Sequence, residues 1–359
     1  MSRREVKRQI VAALILAALA AGFFLIPYIG SPNVHFVAPD ITTPEGVSRG
    51  HQFWMGEIER LGGTEAYAEF LQAYANLTLP QQHAAGHLFG EALSERVGID
   101  GLAVCDSSFQ YGCFHSLFGY VIQAQGLSGI AALGQKCFET FDAVNVVGCN
   151  HGIGHGIQLY LGYNVEGLKK ALTTCKELSH DPLGDCINGA IMEYNLHTMR
   201  GPGDEGLRPL GDDPFFPCLE LSKEDSRVCL FWQPQWWAQP THYPGVTFSV
   251  IFTQMGRWCR SAPSALREPC FEGIGYVAPM LVAYDMQKTI ALCQDAASRQ
   301  YEETLCRAAA ASSAFAESTI RTKAMAICEG LPQADKDYCA FYIHAAVVIS
   351  PKGARPPAL

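Results

Sequence analysis

The apolar residues of the chain form one long uninterrupted run, followed by many shorter stretches separated by polar breaks. Residues 10–29 carry no charged side chain and consist mainly of Ala, Leu, Ile and Phe. At a rise of about 1.5 Å per residue, a helix of this length crosses the roughly 30 Å hydrocarbon core of a bilayer. The run therefore predicts a transmembrane helix.

A cluster of basic residues stands directly before this run and sets its orientation. Arg3, Arg4, Lys7 and Arg8 precede it, so the positive-inside rule leaves residues 1–9 in the cytoplasm and exports the remainder. A cleaved signal peptide is the alternative, with residues 18–20 (Ala-Leu-Ala) as its cleavage site. We favour an uncleaved signal anchor because the apolar run continues for nine residues beyond that point. A linker at 30–46, an extracytoplasmic domain at 47–349 and a flexible tail at 350–359 complete the predicted organisation.

In the part predicted to be exported, the pattern of apolar and polar residues indicates pairs of helices. Residues 149–160 and 186–196 are rich in Ala, Gly and larger apolar residues, whereas residues 165–175 alternate polar and apolar positions at helical spacing. Short polar breaks such as 162–164 separate the two kinds of stretch. Two segments depart from this pattern: residues 200–218, rich in Gly, Pro and Asp, predict a long surface loop, and three prolines within 232–245 predict a broken helix after Cys229.

The fourteen cysteines fall into seven neighbouring pairs along the chain. The second member follows the first by 8, 12, 11, 11, 11, 13 and 11 residues, and no CxxC or CxxxC spacing of a zinc ribbon occurs. The predicted disulfides are Cys105–Cys113, Cys137–Cys149, Cys175–Cys186, Cys218–Cys229, Cys259–Cys270, Cys293–Cys306 and Cys328–Cys339.

The pairs recur with a period that is typical of two-helix repeats. Successive second cysteines are 36, 37, 43, 41, 36 and 33 residues apart. Each disulfide would join the end of one helix to the start of the next, which contributes roughly 2–3 kcal/mol per bridge in the chain-entropy account. We therefore predict an all-α fold of disulfide-stapled αα-hairpins, arranged as a solenoid or a closed toroid.

Composition supports a folded domain outside the cytoplasm. Of 359 residues, 48% are apolar and 17% are charged, which allows a sizeable core. The formal net charge of −9 argues against a nucleic-acid partner. A high, even number of cysteines is typical of an oxidising compartment, such as the periplasm or the cell exterior.

In these features the chain resembles Sel1-like repeat proteins, and among them the secreted cysteine-rich proteins with one disulfide per helical hairpin. The residues that carry the resemblance are Gly148-Cys149, Gly162, Lys170-Ala171-Leu172, Cys175 and the Cys105/Cys113 pair. Most loops are longer than in that group, and His151-Gly152 replaces its usual Leu-Gly. The resemblance implies an interaction scaffold outside the cytoplasm and leaves the histidines unexplained.

Histidines recur in register with the cysteine pairs. His115 and His151 each stand two residues after a second cysteine; His83 lies 32 residues before His115, and His51 lies 32 residues before His83. Asn188 takes the place in the following repeat, and later repeats carry no histidine there. His87 and His155 follow one helical turn after His83 and His151.

Histidines four residues apart share a helix face and can bind one metal ion. The predicted ligands are His83, His87, Glu91, His115, His151 and His155, with His51 as a further candidate. Since every thiol is assigned to a disulfide, these nitrogen and oxygen donors suit zinc, copper, iron or manganese. In the alternative, the histidines are structural residues that bond to loop carbonyls and pack between helices.

Two functions follow from these alternatives. The first is a membrane-anchored metal-handling protein or metal-dependent enzyme, with Glu91 or Glu193 as a candidate general base. The second is a membrane-tethered scaffold that binds a protein or peptide.

Overall fold

A computed structural model describes residues 38–142, 145–181, 184–199, 207–316 and 321–344. The predicted cytoplasmic N-terminus at 1–9, the transmembrane run at 10–29 and the tail at 350–359 lie outside the described residues, as does most of the predicted linker.

The described residues are all-helical and contain no β-strand, as predicted. Short 3₁₀ turns connect several of the α-helices. The α-helices are α1 (Pro44–Leu61), α2 (Gly63–Tyr74), α3 (Leu79–Val97), α4 (Gly112–Gln125), α5 (Ile130–Thr140), α6 (Asn145–Leu161), α7 (Val165–Cys175), α8 (Asp185–Leu196), α9 (Lys223–Trp237), α10 (Phe248–Ser261), α11 (Ser264–Leu281), α12 (Met286–Ala296), α13 (Gln300–Ala316) and α14 (Gln333–His344).

Side-chain caps mark several helix starts. The Thr43 hydroxyl accepts a hydrogen bond from the Gly46 N–H, so α1 begins at Pro44, three residues before the predicted domain start. Asn164 caps α7 in the same way, because its side-chain oxygen accepts from the Gly167 N–H at 2.9 Å. Each cap satisfies a backbone donor that the helix itself leaves unpaired.

All seven predicted disulfides are formed, and no described cysteine is free. The bridge Cys137–Cys149 shows the arrangement: Cys137 is in the last turn of α5 and Cys149 in the first turns of α6, with Cα atoms 5.8 Å apart. The prediction that each bridge joins the end of one helical segment to the start of the next is confirmed here.

One series of helices packs each member against the next. The series runs α1, α3, α4, α6, α8, α9, α11, α13 and α14. The remaining helices pack on this series; α7, for example, contacts both α6 and α8. Large side chains that are fully buried fill the spaces between the helices, including Trp54, Phe89, Phe114 and Phe118.

The prediction that proline breaks the helix after Cys229 is wrong at Pro234. Helix α9 continues through Pro234 to Trp237. A proline inside a helix removes one hydrogen bond and costs about 3 kcal/mol. Here the flanking side chains offset that cost: Trp236 and Trp237 are fully buried, and their indole N–H groups donate to the carbonyls of Arg208 and Pro214.

The predicted surface loop is irregular over its described part, residues 207–217. Arg208 holds it to the helices, since its guanidinium lies 3.5 Å from the centre of the Trp236 ring and donates to the Asn195 side chain. Residues 200–206 lie outside the described residues.

Across the described ranges, no single helix combines the length and hydropathy needed to cross a bilayer. One pair of segments, Ser108–Gln125 and Leu127–Thr140, meets those requirements only when taken together, and it is bent by 115°.

Candidate metal centre

Five of the predicted ligands come together where α3, α4 and α6 pack side by side. His83 and His87 project from α3, His115 from α4, and His151 and His155 from α6. His115 and His155 are buried, and the other three are partly exposed. The centre is therefore enclosed by helices but has solvent on one side.

The first group of three donors consists of His83, His87 and His115. The Nε2 atoms of His83 and His87 are 3.1 Å apart, and Nδ1 of His115 lies 3.2 Å from Nε2 of His87. Adjacent nitrogens in a tetrahedral zinc site with Zn–N bonds of about 2.0–2.1 Å are about 3.3 Å apart. The observed spacing is close to what one ion needs.

The second group consists of His115, His151 and His155. The Nε2 atoms of His151 and His155 are 3.1 Å apart, and the rings of His115 and His155 stack with their centres 4.2 Å apart. Nε2 of His115 is buried and has no hydrogen-bond partner among the described residues. Burial of an imidazole nitrogen without a partner is costly for the fold, so this atom is available to a ligand.

A backbone carbonyl fixes the orientation of His83. Nδ1 of His83 donates to the carbonyl oxygen of Phe109 at 3.1 Å, which leaves a lone pair on Nε2, the atom that faces His87. Phe109, Gln110 and Tyr111 all have left-handed φ angles of 52–64°, and this unusual turn brings the carbonyl to His83. Such strain is commonly found where it positions functional groups.

A buried carboxylate fixes the orientation of His155 in the same sense. Nδ1 of His155 donates to Oε2 of Glu193 at 2.9 Å, so that its Nε2 also presents a lone pair to the centre. Glu193 is fully buried and accepts further hydrogen bonds from Tyr163, Thr198 and the Met199 N–H. A carboxylate behind a histidine is the usual outer partner of a metal-bound imidazole.

These contacts give Glu193 a different role from the general base suggested by the sequence. Each of the two carboxylate oxygens of Glu193 already accepts two hydrogen bonds, and the side chain is fully buried from solvent. The geometry supports a positioning residue that holds His155.

Burial keeps the imidazoles neutral. It lowers the pKa of His83 to about 4, and it lowers the pKa values of His87, His115 and His151 well below 6.5; repulsion from neighbouring histidines adds to the effect for all four. Only the neutral ring has a lone pair to offer a metal. Four of the five ligands are therefore ready to bind at neutral pH.

Glycines allow the helices that carry the centre to approach closely. A Cβ atom on Gly154 would lie 2.0 Å from the carbonyl oxygen of Cys186, and one on Gly189 would lie 2.0 Å from the carbonyl oxygen of His151. Any side chain at these positions would separate α6 from α8, and with them His155 from Glu193.

His51 and Glu91 form a separate group instead of joining the five histidines. Nε2 of His51 lies 3.9 Å from Oε1 of Glu91 and 3.4 Å from Oε1 of Glu95. Tyr120 donates to Glu91. These residues lie on a more exposed surface, where acidic groups are common without a metal.

Several residues around the centre were not found by sequence reasoning. They include Phe109, Tyr163 and Thr198. Trp232 also lies at the centre: its ring centre is 6.2 Å from that of His151, and its N–H donates to Asn188. None stands in register with the histidines, so the repeat pattern gave no signal for them.

Chemically, the centre is a set of five imidazoles with hydrogen-bonded outer partners and no thiolate. Such a set suits zinc or copper(II) better than magnesium or calcium, which prefer oxygen ligands. Comparison with known proteins found no matching family model, no matching curated protein and no matching solved structure.

Proposed function

We propose that this protein binds a transition metal, zinc or copper, through the five histidines of α3, α4 and α6. The observation that carries the proposal is the 3.1–3.2 Å spacing of ring nitrogens within each histidine pair and between His87 and His115, close to the donor spacing around one tetrahedral ion. A structural role for the histidines predicts hydrogen bonds to loop carbonyls instead. Within the described residues, two of the five histidines make backbone hydrogen bonds: His83 at Phe109 and His151 at Asp185.

The oriented outer partners support the same function. Phe109 and Glu193 each accept a hydrogen bond from the Nδ1–H of one histidine, which points the Nε2 lone pair of that ring inwards. Hydrogen bonding to a carboxylate also makes the ring a stronger donor.

The three-histidine groups favour a metal that can exchange ligands. Three protein donors leave a fourth position for water or another small molecule, whereas structural zinc sites are closed by four protein donors. The partial exposure of His83, His87 and His151 gives a route by which an ion can enter. Metal handling and metal-assisted chemistry are both compatible with such a site.

We further propose that the scaffold is a repeat of αα-hairpins outside the cytoplasm, on an N-terminal membrane anchor. Equivalent close contacts support the repeat: Gly154 meets the Cys186 carbonyl, and Gly275 meets the Cys306 carbonyl in the same way. The seven disulfides fit an oxidising compartment. The resemblance to Sel1-like repeat proteins is part of this proposal.

Metal content tests the function. The full-length chain is produced without a His tag in an oxidising compartment, and bound metals are measured by mass spectrometry before and after reconstitution with Zn²⁺ or Cu²⁺. We expect at least one equivalent per chain, and its loss in the variant His83→Ala/His151→Ala. The matched control is His180→Ala, because this ring stacks on Phe138 outside the centre. Less than about a tenth of an equivalent in the reconstituted wild type overturns the proposal and favours the peptide-binding scaffold.

A further inference from the structure

His115 belongs to both three-histidine groups of the centre. Its Nδ1 atom lies 3.2 Å from Nε2 of His87 on α3, while its ring stacks on His155 of α6. Its Nε2 atom is the buried nitrogen that has no hydrogen-bond partner among the described residues. His115 therefore has Nδ1 next to the α3 pair, while its Nε2 is not used by any described residue.

The two outer pairs of histidines are separate from each other. Ring contacts join His83 to His87 and His151 to His155, and each of these four rings also contacts His115. Within the described residues, no ring contact joins the α3 pair directly to the α6 pair. Among the described residues, His115 is thus the one ring that contacts both pairs, and each pair has an outer partner of its own.

One ion cannot use all five rings. Zinc with imidazole ligands takes four donors, and copper(II) prefers a square-planar or tetragonal set. A single ion on the α3 pair would leave the α6 pair with inward lone pairs, and Glu193 would have no metal ligand to orient. The arrangement of two oriented pairs around a shared ring matches two ions better than one.

We infer that the centre holds two metal ions, one on each histidine pair, and that His115 bridges them through its two ring nitrogens. The inference rests on the proposed metal-binding function. As the second ion binds, the remaining ring proton of His115 passes to solvent and the ring becomes an imidazolate. Its negative charge lies between the two cations and offsets part of their repulsion.

Copper(II) titration of the full-length chain tests the bridge, because each Cu²⁺ ion carries one unpaired electron. We expect two equivalents by mass spectrometry after removal of loosely bound metal. We also expect an electron paramagnetic resonance signal at low temperature that integrates to far less than two spins, since an imidazolate bridge pairs the electrons. Release of one extra proton with the second equivalent is expected from the same titration in weak buffer.

Variants separate the bridge from the pairs. His151→Ala leaves the α3 pair and His115, so one equivalent with one full spin is expected; His83→Ala leaves the α6 pair and gives the same result. His180→Ala is expected to keep two equivalents and the reduced signal. Circular dichroism and the absence of titratable thiols show that each variant is folded with its disulfides intact.

The outcomes distinguish this inference from the function on which it rests. One equivalent in the wild type, with a full one-spin signal, overturns the two-ion centre and leaves the metal-binding function standing. Two equivalents with two full spins overturn the bridge. No bound copper and no bound zinc overturn both.

Discussion

The imidazole of His155 owes its orientation to a single buried carboxylate. Glu193 accepts from Nδ1 of His155 and is held in turn by Tyr163, Thr198 and the Met199 N–H. This network leaves Nε2 as the only nitrogen of His155 with a lone pair for a metal. We therefore expect the metal affinity of the second group (His115, His151 and His155) to depend on Glu193, although this residue is not itself a ligand.

Replacing Glu193 by Gln is expected to weaken metal binding about 10- to 100-fold, the usual loss when an outer partner of a metal-bound histidine is changed. The amide of Gln has the shape of the carboxylate but lacks its negative charge, and this charge makes the His155 ring a stronger donor to a metal. Competition with a chromophoric chelator measures the affinity. Glu91→Gln is the matched control and is expected to bind like the wild type, since Glu91 pairs with His51 outside the centre. Equal affinities for Glu193→Gln and the wild type would contradict this role.

Glu272 occupies the register position that holds histidine in the earlier part of the chain. Burial, with a smaller contribution from repulsion by Glu268, raises its pKa to about 8. A carboxyl group whose pKa is about 4.5 when unfolded and about 8 when folded keeps its proton longer in the folded state. Stability is therefore highest below pH 4.5 as far as this group is concerned, and it falls as the pH rises towards 8.

The variant Glu272→Gln removes this pH dependence. Between pH 5 and pH 8 the wild type should lose stability relative to the variant, by an amount on the order of a few kcal/mol. Guanidinium unfolding with the disulfides intact, at both pH values, measures the difference. If the gap between the two proteins is the same at pH 5 and pH 8, the carboxyl does not titrate as its buried position requires.

At the scale of helices, the close contact of α6 with α8 is what brings His155 to Glu193. Gly154 and Gly189 face carbonyl oxygens across this contact at distances that leave no room for a Cβ atom. Carbonyl oxygens belong to the backbone, so the helices themselves would have to move apart.

Substituting Ala for Gly154 should therefore lower both stability and metal affinity. Overpacking of this kind typically costs about 1–3 kcal/mol. Gly56→Ala is the matched control: a Cβ atom there meets nothing within 4 Å, so the better helix propensity of Ala should slightly stabilise α1. Unfolding curves and chelator competition on both variants measure the effects. A Gly154→Ala protein with wild-type affinity would show that the α6–α8 spacing does not set the site.

The sequence predicted these helices and bridges well because both depend on local patterns. Each disulfide closes a short loop, and the spacing of Cys137 and Cys149 was enough to pair them. Pro234 was misjudged because the burial of Trp236 and Trp237, which offsets its cost, depends on the distant segment around Arg208 and Pro214.

For the candidate site, too, the features set by local sequence patterns were predicted, and the features set by tertiary contacts were not. Periodicity placed the five histidines on equivalent helix faces, and the structure brings them together. Periodicity also grouped Glu91 with them, because a residue four positions after His87 shares the helix face. In the folded protein Glu91 instead contacts His51 and Tyr120, which lie outside the group of five histidines. Phe109 and Tyr163 come from loops whose positions no periodic pattern encodes.

At the scale of the whole molecule, the chemistry is concentrated in the first half of the described residues. The five histidines lie between α3 and α6, and Glu193 on α8 is the last residue of the network in a described helix. The later helices repeat the disulfides and the close glycine contacts without the histidines. The disulfide-bridged helices therefore continue beyond the centre, and within the described residues the five clustered histidines belong to the earlier helices.

X-ray absorption at the zinc edge of the reconstituted full-length chain tests whether the histidines bind the metal, because it reports the atoms bound to the ion. We expect a first shell of nitrogen at about 2.0–2.1 Å with the multiple scattering of imidazole rings, and no sulfur at about 2.3 Å. The same shell should be lost in His83→Ala/His151→Ala. A first shell of oxygen alone, or of sulfur, would contradict it.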